Sequence, residues 1–276
     1  MTNPIQWFPG HMKSALDEIR AELKVCDAII YMLDARCPRS CLNPKYEEFV
    51  ARKPVLFVLN KSDLASFGAK MQNAIYINST QTGAGEKVVK AINAILKNKI
   101  DASAAKGIKK TVRACVIGVT NCGKSTLINN LTKKVKALTG DKPGVTKTKQ
   151  WVVATDRLWL LDTPGTLWPK FENPQIAKNL VYIGSIKDDI LDIVALAKDL
   201  IGDLTKLEPN CIKERFQLAE ISGQAPDDAF ESICKKRGYV LRGGAPDEQR
   251  AAKAILTEFR AGKLGRFNLD ELLPLR

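Results

Sequence analysis

The strongest constraint on the fold lies near the middle of the chain. Val112 to Ile117 is an apolar run that reads as a strand. Gly118-Val-Thr-Asn-Cys-Gly123-Lys124-Ser125 follows it directly, and Lys124 to Thr132 continues as a helix. A glycine loop between a strand and a helix is built to wrap phosphate. The glycines let backbone N–H groups turn inward, and the helix aims its positive end at the same charge. Such a unit needs a sheet beside it, and the flanking sequence supplies the strands. Asp27 to Leu33, Pro54 to Leu59 and Ala74 to Ile77 are short apolar runs, with a helix-like segment before the first at residues 12–24 and another after the third at 85–97. Strands alternating with helices predict a parallel-rich α/β sheet covered on both faces. Trp151 to Ala154 and Leu158 to Leu161 read as a β-hairpin around Thr155-Asp156. Residues 98–110 (NKIDASAAKGIKK) are small, polar and basic, and read as a linker.

In the phosphate loop, Lys124 is placed to bridge the β- and γ-phosphates and Ser125 to ligate Mg²⁺ through its hydroxyl. Thr126 and the loop amides of Asn121, Cys122 and Gly123 are placed to meet the α- and β-phosphates. A second motif comes earlier. Asn60-Lys61-Ser62-Asp63 ends the PVLFVL strand, where ligands of open α/β sheets bind. A carboxylate at Asp63 accepts hydrogen bonds from guanine N1–H and its exocyclic amine, a donor pair that adenine lacks. Asn60 holds the loop and approaches the far edge of the base. The Lys61 stem lies over the ring. Ser79-Thr80, after the third strand, offers a backbone amide to guanine O6, though a plain Ser-Thr turn would look the same. The pair of motifs points to GTP rather than ATP, with GTP and GDP as ligands.

Two further loops complete the set. Asp162-Thr-Pro-Gly165 follows the strand LWLL, so Asp162 reaches Mg²⁺ through water and the Gly165 amide senses the γ-phosphate. Within Lys142-Pro-Gly-Val-Thr146, Thr146 is the natural hydroxyl to close over Mg²⁺, with Thr148 as a substitute. One part is missing. Many GTPases carry a water-orienting Gln after Asp-x-x-Gly, and here Thr166 and Leu167 stand there. Intrinsic hydrolysis is expected to be slow, or another group positions the water. The fold class is therefore α/β, a P-loop GTPase domain with circularly permuted motif order. After about Pro174 only helix-like segments remain, at 175–201, 211–222, 226–237 and 246–262. They predict a C-terminal all-helical domain, with the boundary between residues 1–172 and 173–276.

Composition narrows the setting. Seven cysteines are scattered without any C-x-x-C pair, which argues against zinc and a disulfide framework and for a reducing, cytoplasmic location. No signal peptide and no bilayer-spanning apolar run is visible, so a membrane is not an expected partner. Net charge is +13, and between Lys97 and Gln150 thirteen Lys/Arg face two Asp. Lys106, Lys109, Lys110, Lys133, Lys134 and Lys136 exceed what a triphosphate needs. They fit a polyanion such as RNA, or equally a solvated basic face.

Trp7-Phe-Pro-Gly-His11-Met12, the late phosphate loop and the helical tail together resemble the circularly permuted ribosome-assembly GTPases, over essentially the whole chain. The resemblance implies GTP hydrolysis coupled to late maturation of the large ribosomal subunit, with rRNA rather than DNA as the nucleic-acid contact. It places His11, the sole histidine, on the family's Pro-Gly-His motif as a catalytic water-positioning group. The alternative is a structural histidine behind the Pro9-Gly10 turn. It also places Asn121 on the asparagine that similar GTPases use to hold K⁺. The chain departs from its relatives at Thr166, where an aliphatic residue is common, and at Ser79-Thr80, where Ser-Ala is usual. A nucleotide-dependent adaptor with no important turnover of its own is the competing function.

Overall fold

A computed structural model describes residues 10–66, 71–139, 151–171, 173–188, 191–218 and 225–274. They fall into two compact units. One contains described residues 10–63 and 71–170; the other contains 64–66 and those from 171 onward.

The first unit is built on six strands: β1 (Ala28–Asp34), β2 (Val55–Asn60), β3 (Ala74–Tyr76), β4 (Val112–Gly118), β5 (Trp151–Thr155) and β6 (Leu158–Asp162). They lie in the order β3-β2-β1-β4-β6-β5. All neighbours run parallel except the β5–β6 hairpin at one edge. Every residue of β1 is buried. Successive side chains on a strand point to opposite faces, so the sheet is covered on both sides there, as its unbroken apolar run requires. Ile29, Ile30, Met32 and Leu33 are wholly enclosed, and each contributes roughly 1.5–3 kcal/mol of burial. The helices are α1 (Gly10–Val25), α2 (Glu47–Arg52), α3 (Ala84–Ile95), α4 (Lys97–Ala104) and α5 (Lys124–Thr139). α3 and α5 pack on each other; α3 also lies on β2, α5 on β4 to β6, and α1 on β4.

This topology positions the site. β1 has β2 and β4 as its two neighbours, with Asp34 beside Asn60 and Met32 beside Gly118. The base motif after β2 and the phosphate loop after β4 therefore leave the same edge of the sheet, on either side of one strand.

Residues 98–110 are not a simple linker. The Lys97–Ala104 stretch is the helix α4. Ala102 and Ala104 favour helix, and the Ser103 hydroxyl donates back to the Lys99 carbonyl at 3.0 Å. Asp27 then fastens the segment, pairing with Lys99 at 2.7 Å and Lys110 at 3.1 Å and accepting the Arg113 N–H at 3.0 Å. Burial alone would raise the Asp27 carboxyl, but these donors overcome it and bring it to about 2.

The second unit carries α6 (Pro174–Tyr182), α7 (Ile193–Leu207), α8 (Cys211–Phe216), α9 (Pro226–Arg237) and α10 (Glu248–Arg260). The stretch expected as one helical segment over 175–201 is two helices. The chain turns at Gly184, which has φ 78°. Arg260 caps the end of α6 by donating to the carbonyls of Val181 (2.8 Å) and Tyr182 (3.0 Å), and it pairs with Asp188 at 2.7 Å. Asp192 starts α7 by accepting the N–H groups of Val194 and Ala195, both at 3.1 Å. α8 ends where Gln217 enters the left-handed region. Leu200 and Leu204 of α7, Phe230 of α9 and Ile255 and Phe259 of α10 form the core. Among the described residues no helix is long and apolar enough to cross a membrane.

Candidate guanine nucleotide site

Asn60 is the joint of the site. Its amide nitrogen donates to the Cys122 carbonyl in the phosphate loop, and its amide oxygen accepts the Ser79 N–H, both at 2.8 Å and both buried. One side chain thus ties together the base motif, the phosphate loop and the Ser79-Thr80 loop. Gly123 makes the tie possible. Its φ is 99°, and a Cβ there would stand 2.1 Å from the Asn60 nitrogen. Asn130 of α5 holds the third loop from the other side, donating to the carbonyls of Ser79 (2.9 Å) and Gln81 (3.2 Å). Thr80 folds onto Asn78, which accepts both its N–H and its hydroxyl.

After Asn60 the chain turns through Lys61, at φ 57°, into a 3-10 turn over Ser62–Leu64. Ser62 N–H donates to the Ile77 carbonyl at 3.1 Å. Asp63 is exposed on this turn. Lys61 differs from expectation in one respect. Its ammonium lies 3.0 Å from the buried carboxylate of Asp34, which fixes the far end of the stem.

The phosphate loop is closely seated. At Gly118 a Cβ would come within 2.3 Å of the Met32 carbonyl oxygen of β1. Asn121 is left-handed at φ 57°, a conformation that asparagine tolerates, and the Cys122 thiol is enclosed, its pKa pushed up by burial. The Lys124 ammonium donates to the carbonyls of Gly118 (3.0 Å) and Val119 (2.8 Å), so it sits inside the turn of the loop. Ser125 and Thr126 are exposed on the first turn of α5.

Asp162 ends β6. One carboxylate oxygen accepts the Ser125 hydroxyl at 3.3 Å; the other is buried without a hydrogen-bond partner. Burial raises the carboxyl, against the pull of Ser125 and Lys124. A hard cation beside a hydroxyl and an unsatisfied carboxylate oxygen fits this pair. Among the described residues there is no cluster of three or more His, Cys, Asp or Glu, and Mg²⁺ needs none: it takes one or two protein oxygens and fills the rest of its shell with phosphate and water. Beyond Asp162 the chain is stitched to the loop. The Thr163 hydroxyl donates to the Val116 carbonyl at 2.7 Å, and Thr166 N–H to the Gly118 carbonyl at 3.3 Å. Gly165 lies flat on Thr120, whose Cα would be 2.6 Å from an added Cβ. The Thr166 hydroxyl is 2.5 Å from that of Tyr46, and Leu167 is enclosed. Both residues at the place of the missing glutamine are therefore committed to the interior.

The structure brings together Asn60, Lys61, Ser62, Asp63, Ser79 and Thr80 with Asn121 to Thr126, Asp162 and Gly165. Thr146 and the side chain of His11 lie outside the described residues. Sequence reasoning assigned no role to Asp34 and Arg36. Their only signal was a pair of opposite charges directly after a fully apolar strand.

A phosphate loop, a base motif two strands away and an acid on the strand beyond define a P-loop GTPase whose motifs run in circularly permuted order. Residues 113–224 match the family described as 50S ribosome-binding GTPase. The chain is 42% identical to Ribosome biogenesis GTPase A of Bacillus cereus, over 96% of this chain and 93% of that protein. It belongs to the ribosome biogenesis GTPase A family and is a GTP-hydrolysing enzyme. It is also 39% identical to the protein of that name from Priestia megaterium, over 97% of this chain and 96% of the other. Its fold is that of GNP-bound YlqF from T. maritima, with a TM-score of 0.65 at 23% identity over 92% of this chain and 96% of that one.

Proposed function

We propose that this enzyme uses GTP as a switch in late assembly of the large (50S) ribosomal subunit, in the cytoplasm, with rRNA as the surface it contacts. The observation that carries this reading is the extent of the likeness. It covers 96% of the chain, helical unit included, rather than only the nucleotide unit that GTPases share. The charge agrees: net +13, with Lys106 and Lys109 exposed beside α4. Residues 1–172 form the switching part and 173–276 the RNA- and ribosome-binding part.

Asn60 to Asp63, with Ser79 and Thr80, read the base. Asn121 to Thr126 and Gly165 hold the phosphates. Ser125, Asp162 and Thr146 hold Mg²⁺, which supplies positive charge to the phosphate oxygens when bound. Asn121 carries K⁺. His11 positions the attacking water in place of the absent glutamine. Replacing His11 with Ala is expected to lower turnover about a hundredfold with GTP affinity kept. Equal rates would make His11 structural.

The inward-turned Thr166 favours a second reading, an adaptor whose turnover does not matter. One experiment decides. The protein is sedimented with 30S, 50S and 70S particles in GDP or a non-hydrolysable GTP analogue, and hydrolysis is followed with each particle in K⁺ and in Na⁺. Analogue-dependent 50S binding with particle-stimulated, K⁺-dependent hydrolysis is expected. Binding without stimulation would establish the adaptor, and no preference among particles would overturn both.

A further inference from the structure

Three charged side chains meet behind the base motif. Asp34, the last residue of β1, is fully enclosed, and Arg36 is 1% exposed. Arg36 grips the Asp34 carboxylate with Nε (2.9 Å) and Nη2 (2.8 Å), and its own backbone N–H adds a third bond at 3.1 Å. The Lys61 ammonium reaches the same carboxylate at 3.0 Å from the adjoining strand end. A lone carboxylate at this depth would be forced towards its neutral form. The guanidinium and the ammonium reverse that and hold the Asp34 carboxyl well below the usual carboxylate range.

The backbone gives this cluster a task. Lys61 is left-handed, at φ 57°, which is uncommon for a long side chain and needs support from outside the turn. The turn it makes leads directly to Asp63. The Lys61 side chain is 27% exposed and its tip is fixed at the fully enclosed Asp34 carboxylate. Asp34 receives nothing from Ser62 or Asp63. Its backbone runs beside Asn60 in the sheet, and its carboxylate reaches the motif at the Lys61 ammonium.

We propose that Asp34, held by Arg36, is the positioning residue of the base site: by anchoring the Lys61 ammonium it sets the left-handed turn that presents Asp63, so preference for guanine depends on a side chain of β1 outside the Asn60–Asp63 motif. This rests on Asp63 as the acceptor of the guanine N1–H and amine.

The test uses the full chain and compares GDP with inosine diphosphate, which lacks the exocyclic amine. Affinities are measured by calorimetry for wild type, Asp63→Ala, Lys61→Met, Lys61→Arg, Asp34→Asn and the Asp34→Asn/Lys61→Met double variant. Lys61→Met keeps the stem and leaves the Asp34–Arg36 pair intact, so it reports even if Asp34→Asn does not fold. Lys61→Met and Asp34→Asn are each expected to lower the GDP-to-inosine preference about tenfold, the double variant no further, and Lys61→Arg to restore it. A wild-type preference in Lys61→Met, or losses that simply add in the double variant, would overturn the proposal while leaving Asp63 as base reader. A wild-type preference in Asp63→Ala would overturn the base reading first, and the proposal with it.

Discussion

Asp162 in the nucleotide unit is half-buried and Asp203 in the helical unit is buried, and they spend their oxygens differently. Asp203 is saturated by its own neighbours. One oxygen accepts from Gln175 (3.0 Å) and the Tyr182 hydroxyl (3.1 Å), and the other takes Lys206 at 3.0 Å. At Asp162 one oxygen accepts the Ser125 hydroxyl, the Thr163 N–H also draws on the carboxylate, and the other oxygen is buried without a hydrogen-bond partner. Buried polar atoms are nearly always satisfied, and this one lies beside the Ser125 hydroxyl, where a hard cation would satisfy it. The helical unit uses its polar groups to hold α6, α7 and the C-terminal segment together. The nucleotide unit leaves part of that capacity unspent beside the phosphate loop.

The contrast is broken or sharpened by four measurements. Lys124→Ala removes the ammonium from inside the loop and should weaken GTP binding on the order of a hundredfold, read by calorimetry; affinity within a factor of about three of wild type would remove Lys124 from the phosphate site. Asp203→Ala strands the Tyr182 hydroxyl and Gln175. It should cost about 2 kcal/mol of stability in a denaturant titration and leave nucleotide affinity alone. A matching loss of GTP affinity would show that the two roles are not separate. Asp162→Asn should raise the Mg²⁺ concentration needed for tight GTP binding about tenfold. Because burial raises the Asp162 carboxyl, its ionised form is a cost to the fold near neutral pH, and the variant should melt higher than the parent without Mg²⁺. A lower melting temperature would mean that Asp162 is a structural residue like Asp203.

The smallest effect concerns Asp27, another aspartate spent on its own neighbours. Its carboxyl lies lower folded than unfolded, at about 2. The stability it gives is present above its unfolded value, about 3.9, and is lost as pH falls through about 2. The stability gap between wild type and Asp27→Asn should therefore close between about pH 4 and pH 2. A gap that stays constant across that range would exclude the lysine clasp.

Much of this was legible in the sequence. The strands are short apolar runs, and the three motif loops follow directly from β2, β4 and β6, so pattern and spacing located them together. What escaped was of another kind. Asp34 and Lys61 are far apart along the chain, and only the placement of β1 beside β2 makes them partners. α4 looked like a linker because its helicity leans on Asp27, which lies on the far side of three strands in sequence. The break after α6 was hidden because Arg260, from the last long helix, supplies the cap. Patterns of period two or 3.6 report an element's own residues and say nothing of a charge delivered by a distant one.

The sheet order has a consequence for how the molecule comes into being. As the polypeptide is synthesised from its amino end, β1, β2 and β3 emerge first, carrying the base motif. One side of β1 then stays without its neighbour until residues 112–118 follow. Until then the Asn60 amide has no Cys122 carbonyl to meet. Ribosomal synthesis thus delivers the base motif before the phosphate loop, and the tie between them forms only as the middle of the sheet is sealed.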